Sequence, residues 1–364
     1  EIPKAPDDPF FGESKVKGKL PMTGKYMAYV GSYSYTGKAK GITVYDVDVE
    51  AGKFIYRCEV EVDNSSYLKA SQNGQILYSI ADEGVVAFRV LSNGSLTRLN
   101  SANIRGMRGC HLSTSKADDY IFISGFHDGK ITVLNLNKDG AVGQIADGVF
   151  HKGLGSVAER SFRPHVSCSR LTPDERFLMV ADLGIDQIKV YRFDHKDGKI
   201  TLVDTIRCEL ESAPKYFMFS SDGRFFYVLY EMKNMIEVYS YKEGERVPIV
   251  EKIQTIPSTG SKPNQLTAAC AMHLSPDEKH LSCSNAGDNT VSMYDRDDET
   301  GMLTMRFCLP ISGDYPKDIA IFPDGKHLAS INHEGSISFF KIDYEKRSSR
   351  HERPQHYGQR AKLL

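Results

Sequence analysis

A motif recurs seven times along the chain, and it constrains the fold more than any other feature. Four copies are clear: PHVSCSRLTPDERFLMVADLGIDQIKVYRFD (Pro164 to Asp194), PKYFMFSSDGRFFYVLYEMKNMIEVYSY (Pro214 to Tyr241), CAMHLSPDEKHLSCSNAGDNTVSMYD (Cys270 to Asp295) and PKDIAIFPDGKHLASINHEGSISFFKID (Pro316 to Asp343). Each reads as an apolar segment, a turn, a second apolar segment, a polar loop and a third segment. Weaker copies run from Tyr67 to Val90, with Asn73-Gly74 at the turn, and from Gly109 to Asn137, with Asp118-Asp119 there. The first copy, Tyr26 to Asp48, lacks the leading segment. The copies follow one another at roughly 46 to 55 residues, the period of propeller blades.

The chemistry of each copy explains the pattern. Asp-Gly and Asn-Gly supply the positive φ that a tight hairpin needs. The flanking segments alternate and are rich in β-formers, as in Ile188, Val190 and Tyr191 beside Lys189 and Arg192. They are too short for helices, and further hairpins follow at Asp139-Gly140 and Asp197-Gly198. Each copy therefore predicts about four strands. A lone four-stranded sheet cannot bury both faces, but sheets stacked around an axis can. The expected fold is all-β, a seven-bladed β-propeller over residues 26–343, with an N-terminal arm (1–25) and a basic C-terminal tail (344–364). The missing leading strand of the first copy fits a ring closed by shared strands.

Composition narrows the functional classes. With 46 basic and 47 acidic residues the net charge is −1, so no global field draws nucleic acid or an anionic membrane. The seven cysteines are scattered, without a C-x-x-C pair or zinc-type spacing. They read as reduced thiols of a cytoplasmic protein. No apolar run is long enough to span a bilayer, and the first 25 residues lack the apolar stretch of a signal peptide. The expected partner is a small molecule, with no nucleic acid, no membrane and no cofactor.

In a propeller the innermost strands line a central channel, and distant residues meet at its mouth. Starts of inner strands supply one candidate set: Arg108, His111, Arg163, His165, Lys215 and Lys317. Ends of second strands supply another: Asp182, Glu231, Asn285 and Asn332. Lysine and arginine would hold carboxylate or phosphate oxygens. Glu231 or a histidine would take a proton from water, and a nearby cation would stabilise the oxyanion formed at an ester carbonyl. These members have plainer alternatives: His111 as a buried hydrogen-bonding ring, His165 as a structural residue at a strand start, Lys215 and Lys317 as ordinary rim lysines, and Asp182 as a cap that ties a turn to the neighbouring blade.

Several stretches carry a family resemblance: Tyr29-Val30-Gly31-Ser32-Tyr33, Gly41-Ile42-Thr43-Val44-Tyr45, Gly109-Cys110-His111-Leu112, Arg163-Pro164-His165, Val180-Ala181-Asp182-Leu183-Gly184, Pro214-Lys215, Tyr227-Val228-Leu229-Tyr230-Glu231, Ser284-Asn285 and Pro316-Lys317. In this order they resemble the 6-phosphogluconolactonase-like lactonases, seven-bladed propellers related to the carboxymuconate cyclases. The resemblance implies carbohydrate metabolism and a mouth built from a His, a Glu and two Arg. Glu231 matches the Glu. Lys215 stands where one Arg is usual, Ala286 where the other is, and Ser167 where a second His often follows His165. The leading expectation is a hydrolase of an anionic sugar-derived lactone. Glu231 and His165 would be catalytic, and Arg163, Lys215, Lys317, His111 and Asn285 would bind substrate. The departures leave an alternative: a non-catalytic propeller that binds a small anionic ligand or a partner protein. A metal-dependent variant would need Glu231, Asp182, Asn285 and Asn332 to converge on a hard cation.

Overall fold

The computed structural model describes residues 26–155, 163–260, 266–333, 335–344 and 348–351. Among them are twenty-seven strands and no helix, arranged as seven antiparallel sheets. Each sheet is one blade, and blades two to seven have four strands in sequence order. The first blade has three (Tyr26–Gly31, Gly41–Asp48 and Lys53–Glu61), so the leading strand missing from the first copy is missing here too among the described residues. The last blade takes its fourth strand, Ser348–His351, from the segment read as a tail. The N-terminal arm and positions 345–347 and 352–364 lie outside the described residues.

Turn chemistry sets the hairpins. Between the first and second strands the chain takes positive φ at Gly74, Asp118, Glu175, Gly223, Glu278 and Gly325. Glycine fills only three of these six places, so the turn does not depend on it. What recurs is a clamp in which a hydroxyl bonds the acidic or amide side chain two residues on: Ser71 with Asn73, Thr172 with Asp174, Ser220 with Asp222 and Ser275 with Asp277. Such a side-chain bond mimics a backbone turn.

Burial peaks at the second strand of a blade and falls toward its outer edge. The second strand is wholly buried, as in Phe177–Asp182 and Phe225–Tyr230, while the fourth alternates with solvent, as in Ile249–Pro257. Seven apolar clusters fill the seven seams between neighbouring sheets. One joins Phe54 of the first blade to Phe322 and Phe339 of the last, so the ring is closed. Inner strands of successive blades touch around the axis and form the channel wall.

Candidate functional site

The inner strands share an irregularity at the end where they begin. In four blades the register skips one residue: Ser167, Lys215, Cys270 and Lys317. Each is a bulge in the same place, five residues before the residue that opens the turn after the strand. Bulges re-aim side chains and concentrate beside active sites. Here they set a layer of side chains around one mouth of the channel. Cys110 holds the matching position in the third blade, because its amide and the paired residue His111 both face Ser124.

Lys215 and Glu231 meet in this layer. The ammonium Nζ donates to Glu231 Oε1 at 3.3 Å, and both side chains keep some contact with solvent. Burial alone would depress the Lys215 pKa, but the Glu231 carboxylate, with Cys270 and Tyr315, outweighs it and holds the ammonium above the ordinary lysine value. The Cys270 thiol is pushed up by burial, and Lys215 and Lys317 act against that rise. Lys317 is buried and lies 5.5 Å from the centre of the Tyr315 ring, a cation–π distance. Lys215, Glu231, Cys270 and Lys317 thus share one field.

A second cluster forms across the mouth. His165 stacks on Phe126 with ring centres 4.2 Å apart, and its Nδ1 lies 2.6 Å from the Phe126 carbonyl oxygen. A carbonyl only accepts, so Nδ1 is the donor, and Nε2 is the ring nitrogen left to exchange a proton. His127, next in the chain, has its pKa lowered by burial and then by Arg108 and His165, with a smaller effect from Arg163. Arg108 is tied to Asp82 at 3.1 Å and lies over the Tyr33 ring at 4.7 Å. Cys110 connects the two clusters: burial pushes its thiol up to about 12, Cys168 adds to that, and Lys215 opposes it.

Other expected residues are placed elsewhere. His111 sits one layer below the mouth, 1% exposed, between Tyr67 at 4.8 Å and Tyr216 at 5.8 Å. Burial, then Arg170 and Lys69, lower its pKa well below the histidine value. Asn285 lies at the end of the second strand of its blade. It is fully buried, and its amide donates to the Ser258 carbonyl and the Thr290 hydroxyl. Asn332 is bound to Ser330, Ser336 and Ser338 of its own blade. Asp182 is a turn cap: Oδ1 accepts from the amides of His165, Gly184 and Ile185, while Oδ2 meets His151 Nδ1 at 2.8 Å. These hydrogen bonds of the three side chains run to groups of their own or an adjoining blade rather than to Glu231.

The family described as "Lactonase, 7-bladed beta-propeller" matches residues 27–357. The chain belongs to that lactonase family. A 6-phosphogluconolactonase of Bacillus subtilis is 27% identical to this lactonase-family chain over 331 residues, covering 88% of it and 92% of the relative. One of Formosa agariphila is 26% identical over 331 residues, covering 87% and 92%. A crystal structure from Bacteroides fragilis, named as a candidate 6-phosphogluconolactonase, superposes with a TM-score of 0.83 at 28% identity, covering 94% of this chain and 98% of its own. A periplasmic gluconolactonase of Pseudomonas aeruginosa shares the fold at 23% identity and a TM-score of 0.83, covering 93% and 98%.

Within this lactonase-family chain, sequence reasoning missed Cys110, His127, Tyr315 and Cys270. For Cys110 and Cys270 the signal was present in the repeat. Counting five residues back from the turn hydroxyls of Ser115, Thr172, Ser220 and Ser275 reaches Cys110, Ser167, Lys215 and Cys270. The same count from Phe322 reaches Lys317.

Proposed function

We propose that this propeller hydrolyses an anionic, sugar-derived lactone at the mouth built around Lys215 and Glu231. The ion pair seated on the inner-strand bulge carries the reading. It sets a carboxylate beside a cation that stays protonated, with Lys317 within the same field. The relatives named 6-phosphogluconolactonase support a six-carbon aldonic lactone, with or without a phosphate, as the substrate.

The chemistry follows from the side chains. Water attacks the lactone carbonyl carbon and gives up a proton to Glu231 or to Nε2 of His165. The carbonyl oxygen gains charge, and the Lys215 ammonium stabilises it. The tetrahedral intermediate collapses by breaking the ring C–O bond, and the ring oxygen takes the proton back. The product is the open hydroxy acid. Arg163, Arg108 and Lys317 would hold a phosphate or the new carboxylate. No cofactor enters these steps. Seven free cysteines support a reducing, cytoplasmic setting.

A second reading, binding of a sugar acid without turnover, draws on two positions. The Ser167 hydroxyl donates to the Pro214 carbonyl at 2.8 Å, and Ala286 is fully buried. Neither offers the charged or proton-carrying group that the family resemblance implies there. Hydrolysis of aldonic δ-lactones and their phosphates, followed in a pH-stat with the spontaneous rate subtracted, separates the two readings. We expect turnover by the wild type and a loss of about 10²- to 10⁴-fold in kcat for Glu231→Gln. A wild type no faster than water across the panel would remove the catalytic reading. Saturable binding of the aldonic acid that Lys215→Met abolishes would then support the binding one.

A further inference from the structure

The residue two before each inner-strand bulge enters the mouth just ahead of it. In five blades that residue is Arg108, His165, Ala213, Ala268 or Tyr315. Arg108 and His165 already belong to the mouth. Tyr315 is the remaining large side chain of this tier, and the hydrolytic steps do not use it.

Ala213 and Tyr315 build the same backbone corner. Both take a left-handed φ, at 57° and 56°. The Ala213 amide donates to Asp186 Oδ1 at 2.9 Å, and its carbonyl accepts from the Glu231 amide at 2.9 Å. The Tyr315 amide donates to Asn289 Oδ1 at 2.9 Å, and its carbonyl accepts from the His333 amide at 3.1 Å, which Asp314 shares. Asp186 and Asn289 are left-handed too, at 53° and 54°. Backbone groups and one side-chain oxygen therefore set the corner, and an alanine is enough to fill it. A bulky residue is disfavoured at positive φ, and such strained positions gather at functional sites. The core does not account for the ring either, since Tyr315 is 39% exposed where Ala213 is 1% exposed.

The ring stands among the charges of the mouth. Its centre lies 5.5 Å from Lys317 Nζ and 5.7 Å from the His333 ring. It is also close enough to Lys215 to help hold that ammonium protonated. A substrate held between Lys215 and Lys317 is within reach of it. An aldonic substrate carries its hydroxyls on a carbon skeleton whose C–H groups are apolar, and tyrosine offers an apolar ring with a polar tip.

We propose that Tyr315 is a specificity-determining residue, whose exposed ring surface packs on the carbon skeleton of the aldonic substrate that Lys215 and Lys317 hold. This rests on the reading of the mouth as a lactone site. The contact is made equally in the ground and transition states, so it acts on KM rather than on kcat.

Kinetics on δ-gluconolactone and its 6-phosphate, together with binding of gluconate, test the proposal. Tyr315→Ala recreates the corner found at Ala213 and so keeps the fold. We expect it to raise KM about tenfold, the order of one aromatic contact, with kcat within about threefold of wild type. Tyr315→Phe should keep the wild-type KM. The same loss of about tenfold should appear when Tyr315→Ala is made in a Lys317→Met background, because the contact does not run through the lysine. The chain has no tryptophan, so Tyr315→Trp places a single indole at the mouth. Gluconate should shift its emission saturably. An unchanged KM in Tyr315→Ala, a loss that vanishes with Lys317→Met, or an indole that does not respond while gluconate binds by calorimetry would overturn the proposal and leave the lactone reading standing. A wild type that neither turns over the lactones nor binds gluconate would overturn both.

Discussion

At the scale of single residues, the Lys215–Glu231 pair has consequences that can be measured without a substrate. In the wild type the folded pKa of Lys215 is raised, although burial acts against it, because Glu231, together with Cys270 and Tyr315, outweighs that burial. A raised lysine pKa contributes stability that is fully present below the unfolded value of about 10.4 and is lost as pH rises through the folded value. The wild type should therefore show no contribution from this group to pH dependence between about pH 6 and 9. Glu231→Gln removes the main opposing influence and leaves burial in control, so the folded pKa drops below the unfolded one. The sign then reverses: stability is present at high pH and falls as pH falls through the depressed value. We expect the urea midpoint of Glu231→Gln, relative to wild type, to rise between about pH 8 and 10. A constant difference would show that Glu231 does not govern the ammonium. His111 and Asn285 lie deeper than this pair, at 1% and 0% exposure.

At the scale of elements, the loop after the strand Phe177–Asp182 shows how a blade positions its mouth. Asp182 holds the amides of His165, Gly184 and Ile185 and reaches His151, which follows the last strand of the preceding blade. The backbone passes so close that a Cβ at Gly184 would lie 1.9 Å from the Arg163 carbonyl oxygen. Removing the carboxylate leaves three backbone donors and a buried imidazole without it. Asp182→Ala should cost about 3 kcal/mol or more in urea unfolding and displace His165 along with the loop. A cost below about 1 kcal/mol would mean that the loop holds its shape by packing alone. The sequence made this cap legible, because an acid followed by Leu-Gly at a strand end has few other roles. It also made the blades legible, because the turn clamp repeats. The bulges were hidden: a skipped residue leaves the alternation of a short strand looking intact, and Ser167, Lys215 and Cys270 have no side-chain property in common. Nearness to a strand start placed His111 in the right strand but could not say which layer of the channel it would occupy, since one bulge shifts that layer.

At the scale of the whole molecule, the ring distributes its core over seven seams, and one of them joins the two ends of the repeat. There Phe54 stacks on Phe322 with ring centres 5.5 Å apart and meets Phe339 edge-on at 5.2 Å. Phe54 is 1% exposed, although it lies in the outermost strand of a blade that has only three strands among the described residues. Each other seam joins blades that are also neighbours in sequence, so a weakened contact there is still backed by a short connection. The seam between the last and first blades has no such connection between its strands. Its side chains must supply the closure, at the entropy of a loop nearly as long as the chain. Phe54→Ala removes the ring common to both aromatic contacts and should cost about 3 to 5 kcal/mol in guanidinium unfolding, the range for a buried phenylalanine. The matched control is Phe226→Ala, equally buried in the seam between blades four and five, where Phe226 stacks on Tyr239. Its transfer and cavity terms are similar, but blades four and five stay tethered. If closure governs cooperativity, Phe54→Ala should lower the denaturant slope as well as the midpoint, because an opened ring loses its outer blades first. Phe226→Ala should lower the midpoint at an unchanged slope. Equal slopes in the two variants would show that the terminal seam is one more packing interface and that the ring does not depend on its closure.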